Sequence, residues 1–122
     1  MIIWGGVGAA PLADGGRYDP VSDSWAPVTS AGAPTARAYH TAVGTGVEML
    51  VWGGSNAGFV NYSDGGRYSI ITHAWTAMSN IGAPSLRHSH TATWTGSEML
   101  IWGGVGTVSL NDGKRYKPSN DT

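Results

Sequence analysis

The 122-residue sequence predicts an all-β fold built from a repeated unit of four antiparallel strands. Its composition combines 19 glycines and six prolines with 41% hydrophobic residues, a mixture typical of many short strands joined by turns. Residues 37–54 recur as residues 87–104, with twelve of the eighteen positions identical. No segment has apolar residues at the 3.6-residue spacing of a capped amphipathic helix, so we expect essentially no helix.

The repeat extends over the whole chain. A short apolar run ending in a double glycine occurs three times, as MIIWGG at 1–6, MLVWGG at 49–54 and MLIWGG at 99–104. A second element also occurs three times, as DGGRY at 14–18, DGGRY at 64–68 and DGKRY at 112–116. Seven residues separate these two elements in the first and third copies and nine in the second, so the connection is expected to be an exposed loop. A period near 50 indicates stacked units, none of which buries its apolar face alone.

The second copy shows the elements of one unit most completely. Its predicted strands, labelled a, b, c and d in chain order, span 39–43, 48–52, 66–71 and 74–78. Strand b reads EMLVW, a nearly continuous apolar run that suits a strand covered on both faces. Gly53 and Gly54 end it, since a pair of glycines permits positive φ and close approach of a neighbouring sheet. Four consecutive antiparallel strands of this kind form one blade of a β-propeller.

These features together resemble the kelch repeat. An apolar strand ends in Gly-Gly, Arg-Tyr follows, and a Trp comes about seven residues later, as in GGRYDPVSDSW from Gly15 to Trp25. The segment GAPSLRHSHTATWTGSEMLIWGG at 82–104 looks like the kelch-type arrays of bacterial proteins. The resemblance covers the whole chain and implies kelch-type β-propeller blades. It implies little about function, because such propellers include binding modules and a few carbohydrate-acting enzymes.

The strand pattern predicts about two and a half blades. We expect strands b-c-d at 1–36, a-b-c-d at 37–86 and a-b-c at 87–122. A closed propeller needs about four to eight blades, so ring closure is expected to need other copies of the chain or a parent chain. Among cyclic homo-oligomers a trimer of two-blade protomers is preferred to a dimer. In the trimer, strand a at 87–96 of one copy completes the blade at 1–28 of the next. Strands b and c at 97–122 then duplicate those at 1–24, and one copy is displaced, frayed or paired with a neighbouring ring.

Most residues of chemical interest recur once per unit and are therefore predicted to be structural. The predicted structural residues are Trp4, Gly5, Gly6, Arg17, Tyr18, Trp25, Trp52, Gly53, Gly54, Arg67, Tyr68, Trp75, Trp102, Gly103, Gly104, Arg115 and Tyr116. The strand-c arginines are expected to pair with Glu48 and Glu98 or with backbone, and the strand-b tryptophans to fill the space between blades. His40 and His90 are expected to be buried and to hold turns through hydrogen bonds.

A ligand site is predicted on the face where the b–c and d–a loops emerge. Its candidate residues are Arg37, Tyr39, Phe59, Tyr62, Arg87, His88 and Trp94. Phe59 and Tyr62 lie in the longest b–c loop, 55–63, and Trp94 has no counterpart in the second copy. Kelch domains that bind peptides use these loops, so exchanging 55–63 for a seven-residue loop tests the site. His88 and His90, two apart on a predicted strand, are an alternative metal pair, but no carboxylate or cysteine is tied to them and no metal or other cofactor is predicted.

Charge and composition exclude several functional classes. With seven Lys and Arg against eight Asp and Glu, the chain has no basic stripe for nucleic acid or polybasic anchor for anionic lipid. No apolar run reaches the roughly 20 residues of a membrane helix, and we expect no signal peptide in this chain. The absence of cysteine leaves the redox compartment open, and the localisation is undetermined, with a secreted or surface-exposed parent protein as an alternative. The predicted function is a non-enzymatic binding and assembly module that recognises a protein or glycan. The alternatives are a fragment of a kelch-type carbohydrate-acting enzyme and a propeller fragment without independent function.

Overall fold

The computed structural model describes all residues, 1–122, and contains ten strands and no helix. The strands are β1 (Ile2–Trp4), β2 (Gly15–Asp19), β3 (Ser24–Pro27), β4 (Thr41–Gly44), β5 (Glu48–Trp52), β6 (Gly65–Ser69), β7 (Trp75–Ala77), β8 (Thr91–Trp94), β9 (Met99–Trp102) and β10 (Gly113–Tyr116). The predicted all-β fold is therefore confirmed.

The strands form three antiparallel sheets, each from consecutive segments of the chain. The first sheet has the order β1-β2-β3, the second β4-β5-β6-β7 and the third β8-β9-β10. The register repeats between sheets: Thr41 is opposite Trp52 in the second sheet, and Thr91 is opposite Trp102 in the third. Chain order and spatial order coincide within every sheet because each strand reaches its neighbour through one loop or turn.

Strand b was predicted with the bounds observed for β5, whereas the predicted bounds of strands a, c and d differ from those of β4, β6 and β7. Strand a starts at Thr41, not 39, because Tyr39 has a φ of 57° and interrupts the extended backbone. Strand c ends at Ser69, not 71, because residues 70–73 form the turn to β7, with His73 at a φ of 55°. Neither positive φ falls on a glycine or an asparagine, the residues that usually signal it.

The sheets pack face to face through two apolar cores that share β5. One core joins the first and second sheets and contains Trp4, Val28, Met49, Val51, Tyr68 and Trp75. The other joins the second and third sheets and contains Leu50, Trp52, Met78, Met99, Ile101 and Tyr116. Alternate residues of β5 therefore enter opposite cores. The second sheet is covered on both faces, as the continuous apolar run of strand b predicted.

The outward faces of the first and third sheets leave large apolar side chains exposed. Trp25 is 53% exposed, whereas its repeat equivalent Trp75 is 8% exposed. Trp102 is 61% exposed, whereas its equivalent Trp52 is 2% exposed. The expectation that Trp102 lies in the core is therefore wrong for this chain, because no sheet of the same chain packs on the face of β9 that carries its side chain.

No element of the structure is a helix of the length and apolar character needed to cross a membrane.

Candidate functional site

Two buried arginines precede β4 and β8, the first strands of the second and third sheets. The Nη1 of Arg37 donates to the carbonyls of Gly53 (3.0 Å) and Asp64 (3.1 Å), and it lies 3.0 Å from an Asp64 carboxylate oxygen. Arg87 repeats this arrangement, because its Nη1 donates to Gly103 O and Asp112 O, both at 3.0 Å. Neither arginine exposes any of its surface. The prediction that they edge a ligand site is therefore corrected: both hold their own sheet together.

The bonds of these arginines explain why an Asp opens each DGGRY or DGKRY element. Asp64 and Asp112 place a backbone carbonyl and a carboxylate beside one guanidinium, and Asp112 Oδ1 lies 2.9 Å from Arg87 Nη2. A guanidinium suits this arrangement because its planar fork donates several hydrogen bonds in fixed directions. This pairing was not predicted from the sequence, although an Arg before strand a and an Asp before strand c recur in both the second and the third unit.

The strand-c arginines make contacts within and between sheets, consistent with a structural role. Arg67 forms an ion pair with Glu48 at 2.9 Å and donates to the carbonyl of Pro118 in the third sheet at 3.0 Å. Arg17 of the first sheet lies 2.9 Å from the His73 Nδ1 of the second. Arg115 is the exception: it is largely exposed and only approaches Glu98, at 3.7 Å.

His40 and His90 each connect one sheet to the previous sheet. The Nε2 of His40 lies 3.2 Å from Trp4 O, and the Nε2 of His90 lies 2.7 Å from the Thr41 hydroxyl. Both rings meet the previous sheet's tryptophan edge-on, Trp4 and Trp52 respectively. Burial lowers the pKa of His40, and it lowers the pKa of His90 to about 4, with nearby positive charge at Arg87 adding to the effect.

The paired-histidine metal hypothesis does not fit the backbone. Residues 88–90 precede β8, and Ser89 has a φ of 54°, so the rule that residues two apart in a strand share a face does not apply. His88 Nδ1 instead lies 2.8 Å from Asn61 Oδ1, while His90 faces Thr41. No group of three or more His, Cys, Asp or Glu side chains is arranged to hold a metal ion.

The burial of His90 predicts loss of stability at acidic pH. The unfolded chain protonates this histidine near pH 6.5, whereas the folded chain does so only near pH 4, so the unfolded state holds more protons between these values. Lowering the pH from 6.5 to 4 should therefore reduce the free energy of unfolding by about 3 kcal/mol through this group. Urea titrations across this range should show that the free energy of unfolding depends less steeply on pH in His90→Gln than in the wild-type chain. An unchanged dependence in the variant would contradict the assignment.

The loop face brings together several of the predicted ligand residues, but not all are free. Tyr62 lies under the Arg37 guanidinium, 4.3 Å from its carbon to the ring centroid, and His88 is bound to Asn61. Tyr39 and Phe59 are exposed and line a shallow, largely apolar groove of about 140 Å³ with Val7, Ala10 and Pro11. Asn61 also donates to the carbonyls of Val105 and Gly106, so it braces the second and third loops; sequence analysis gave no signal for it.

Trp94 lies outside this face, contrary to its prediction. Trp94 is opposite Met99 at one end of the β8–β9 pair, whereas Trp102, which leads into the b–c loop, is opposite Thr91 at the other end. The two ends are three residues apart along β8, about 10 Å at the strand rise. Trp94 instead packs against the second core and lines a groove with Lys117, Pro118 and Ser119. The prediction failed because it used the residue's uniqueness and not its position along the strand.

No protein-family model matches the chain, and no curated protein matches it significantly.

Proposed function

We propose that the chain is a non-enzymatic, kelch-type β-propeller assembly module that associates head to tail with further copies of itself into a closed ring. The observation that carries this proposal is the difference in exposure between equivalent positions in the repeat. Trp25 and Trp102 are exposed, while Trp75 and Trp52 are buried at the contacts between sheets of one chain. Inside the chain, the equivalent apolar faces are each covered by a neighbouring sheet. The two exposed faces are therefore expected to be covered by a sheet as well.

The two outward faces are complementary because they repeat the two sides of the internal contacts. Met1 and Ile3 on the outward face of the first sheet correspond to Met49 and Val51, which pack on the preceding sheet. Leu100 and Trp102 on the outward face of the third sheet correspond to Leu50 and Trp52, which pack on the following sheet. A contact between unlike faces is heterologous, and such contacts close into rings when the rotation permits.

Charge supports the same pairing. Arg17 contacts His73 in the turn of the second sheet, and Arg67 contacts the segment after β10, near Asp121. Each strand-c arginine that is followed by another sheet of the chain therefore contacts the turn of that sheet. Arg115, the third member of this series, is exposed. By the same pattern, Arg115 would contact the turn of the first sheet of another copy, where Asp23 occupies the repeat position of His73. In a stacked head-to-tail contact, which keeps β10 at the interface, these opposite charges would lie together.

Within this proposal we favour a trimer in which β8 exchanges between copies. The first sheet of the next copy carries strands equivalent to β9 and β10, and it adds β3, for which the third sheet has no equivalent. Pairing β8 with that sheet would give a four-stranded blade and would bury Trp25 as Trp75 is buried, with its indole N–H near a carbonyl like that of Thr29. Each copy then contributes two blades, and three copies give six. In a dimer of stacked three-sheet chains, no strand would exchange.

The loop face of such a ring would present Tyr39 and Phe59 repeatedly around the channel mouth. Exposed aromatic side chains beside a shallow apolar groove suit contact with a protein or glycan partner, because a large rigid ring buries much area at low entropic cost. We therefore propose this face as the binding surface for such a partner.

Substitution of Trp25 by glutamate should abolish self-association. Trp25 lies on the outward face of the first sheet, which is covered in both the exchanged and the stacked arrangement, and a buried unpaired carboxylate there would cost several kcal/mol. Sedimentation velocity over a range of concentrations measures the effect. Val21→Glu is the matched control: Ile71, its repeat equivalent, remains 74% exposed although its sheet is packed.

Trp102→Glu separates the two arrangements. In a stacked dimer Trp102 lies in the contact, so the variant should dissociate as Trp25→Glu does. In the exchanged trimer Trp102 belongs to the displaced segment, so the variant should still associate. Association of the Trp25→Glu variant at wild-type strength would overturn the proposed assembly.

A further inference from the structure

We propose that the loop from Gly5 to Asp14 in the first sheet is a guanidinium-binding site, and that its occupant is Arg87 of a second copy. This inference rests on the assembly proposed above. It identifies which atoms recognise the incoming strand.

The same loop occurs three times with one backbone geometry. In the three sheets the Gly5, Gly53 and Gly103 N–H groups donate to Asp14 O, Asp64 O and Asp112 O, at 2.9, 3.0 and 2.9 Å respectively. The next bond also repeats, because Leu12, Tyr62 and Leu110 donate to the carbonyls of Gly6, Gly54 and Gly104 at 2.9, 2.8 and 2.9 Å. In the second and third loops this frame holds Arg37 and Arg87. No side chain of this chain donates to Gly5 O or Asp14 O.

Steric space beside the first loop points in the same direction. A Cβ placed on Gly54 would lie 2.6 Å from Ala38 O, and one on Gly104 would lie 2.7 Å from His88 O. Both carbonyls belong to the segment that follows the buried arginine. A Cβ placed on Gly6 would meet no atom within 4 Å, and the outer edge of β1 has no paired strand. The first sheet therefore has room for the segment that the other two sheets contain.

The chemistry of the site selects a guanidinium. Two carbonyls and a carboxylate are all acceptors, so the ligand must donate in several directions, and a positive charge strengthens each bond. A lysine ammonium lacks the planar fork that reaches both carbonyls and the carboxylate. The two arginines that fill the equivalent sites meet these requirements.

Among the arginines of a second copy, Arg87 can reach the site because it precedes β8, a strand that can pair with β1. It leads directly into β8, whose only partner in its own sheet is β9. The Met99–Trp102 strand and β1 have equivalent sequences, MLIW and MIIW, so β8 can pair with either in the same register. Exchange of an equivalent element between copies is a low-cost route to assembly. Arg87 then has two alternative acceptor loops, that of Asp112 in its own chain and that of Asp14 in the next.

Two matched substitutions test this competition in the full-length chain. Asp14→Asn weakens the acceptor in the next chain and should lower the association constant by about tenfold per contact. Asp112→Asn weakens the acceptor in the same chain and should raise association or leave it unchanged. Both variants remove one negative charge, so a general electrostatic effect would shift association in the same direction in both. That result, or an Asp14→Asn variant with wild-type association, would overturn the site.

Peptide binding tests the guanidinium site independently of the assembly. A labelled peptide of residues 82–96 should bind the non-associating Trp25→Glu chain, and its Arg87→Ala form should bind at least about tenfold more weakly. The Asp14→Asn substitution in that chain should reduce peptide binding, whereas Asp112→Asn should not. If wild-type association persists without these differences, the site is wrong and the assembly stands. If the wild-type chain does not associate, the assembly is wrong, and peptide binding to that chain decides the site.

Discussion

Replacing Arg87 with alanine is expected to lower the free energy of unfolding by about 3 kcal/mol. The side chain is fully buried and donates to Gly103 O, Asp112 O and Ser85 O, so the substitution removes partners from three carbonyls and leaves a cavity. Urea denaturation in the non-associating Trp25→Glu background measures the loss, because removal of Arg87 would otherwise also change association.

Two further substitutions sharpen this expectation. Arg87→Lys should recover only part of the stability, because an ammonium cannot reproduce the fork geometry. Arg115→Ala, at an arginine that is largely exposed and 3.7 Å from Glu98, should change stability by less than about 1 kcal/mol. Equal losses for Arg87→Ala and Arg115→Ala would show that the buried arginine does not hold the loop.

Substitution of Gly54 by alanine is expected to be far more damaging than substitution of Gly6. Both residues end a double glycine, and both have positive φ, 93° at Gly54 and 106° at Gly6. The left-handed backbone alone costs an alanine about 1–2 kcal/mol at either position. At Gly54 the new Cβ would also lie 2.6 Å from Ala38 O and 2.9 Å from His40 Cβ, so β4 and the segment before it must move.

The difference between the two variants isolates the close approach of the strand segment. Thermal melts should show a loss of about 1–2 kcal/mol for Gly6→Ala and of several kcal/mol for Gly54→Ala. If an assembled ring fills the space beside Gly6, the Gly6→Ala variant should associate more weakly than the wild-type chain. Similar losses of stability for both variants in the unassociated chain would contradict the described packing.

The repeat made the fold predictable, whereas the candidate site depended on local geometry. Strand b was placed correctly because its apolar run is buried on both faces, and burial on both faces leaves a direct trace in composition. The positive φ values at Tyr39, His73 and Ser89 left no such trace, so strand ends and the orientation of His88 were misjudged.

Arginine roles divide in the same way. The recurrence of Arg67 once per unit predicted a structural role, and Arg67 forms an ion pair with Glu48. Arg37 and Arg87 recur in the d–a loops just before strand a, and that position suggested exposure. Only the structure shows that their side chains turn inward to backbone carbonyls. A pairwise signal, the shared recurrence of Arg and Asp, would have been needed to predict that direction.

Native mass spectrometry of the wild-type chain tests directly whether copies associate head to tail into a closed ring. We expect one closed oligomer whose mass is a multiple of the 12.7 kDa chain, with a trimer preferred. This oligomer should dissociate on dilution and should be absent from the Trp25→Glu variant. Removal of residues 97–122 should leave the exchanged ring intact. A monomer at every concentration, with a cooperative melt independent of concentration, would contradict head-to-tail assembly, and an open-ended ladder of masses would contradict ring closure.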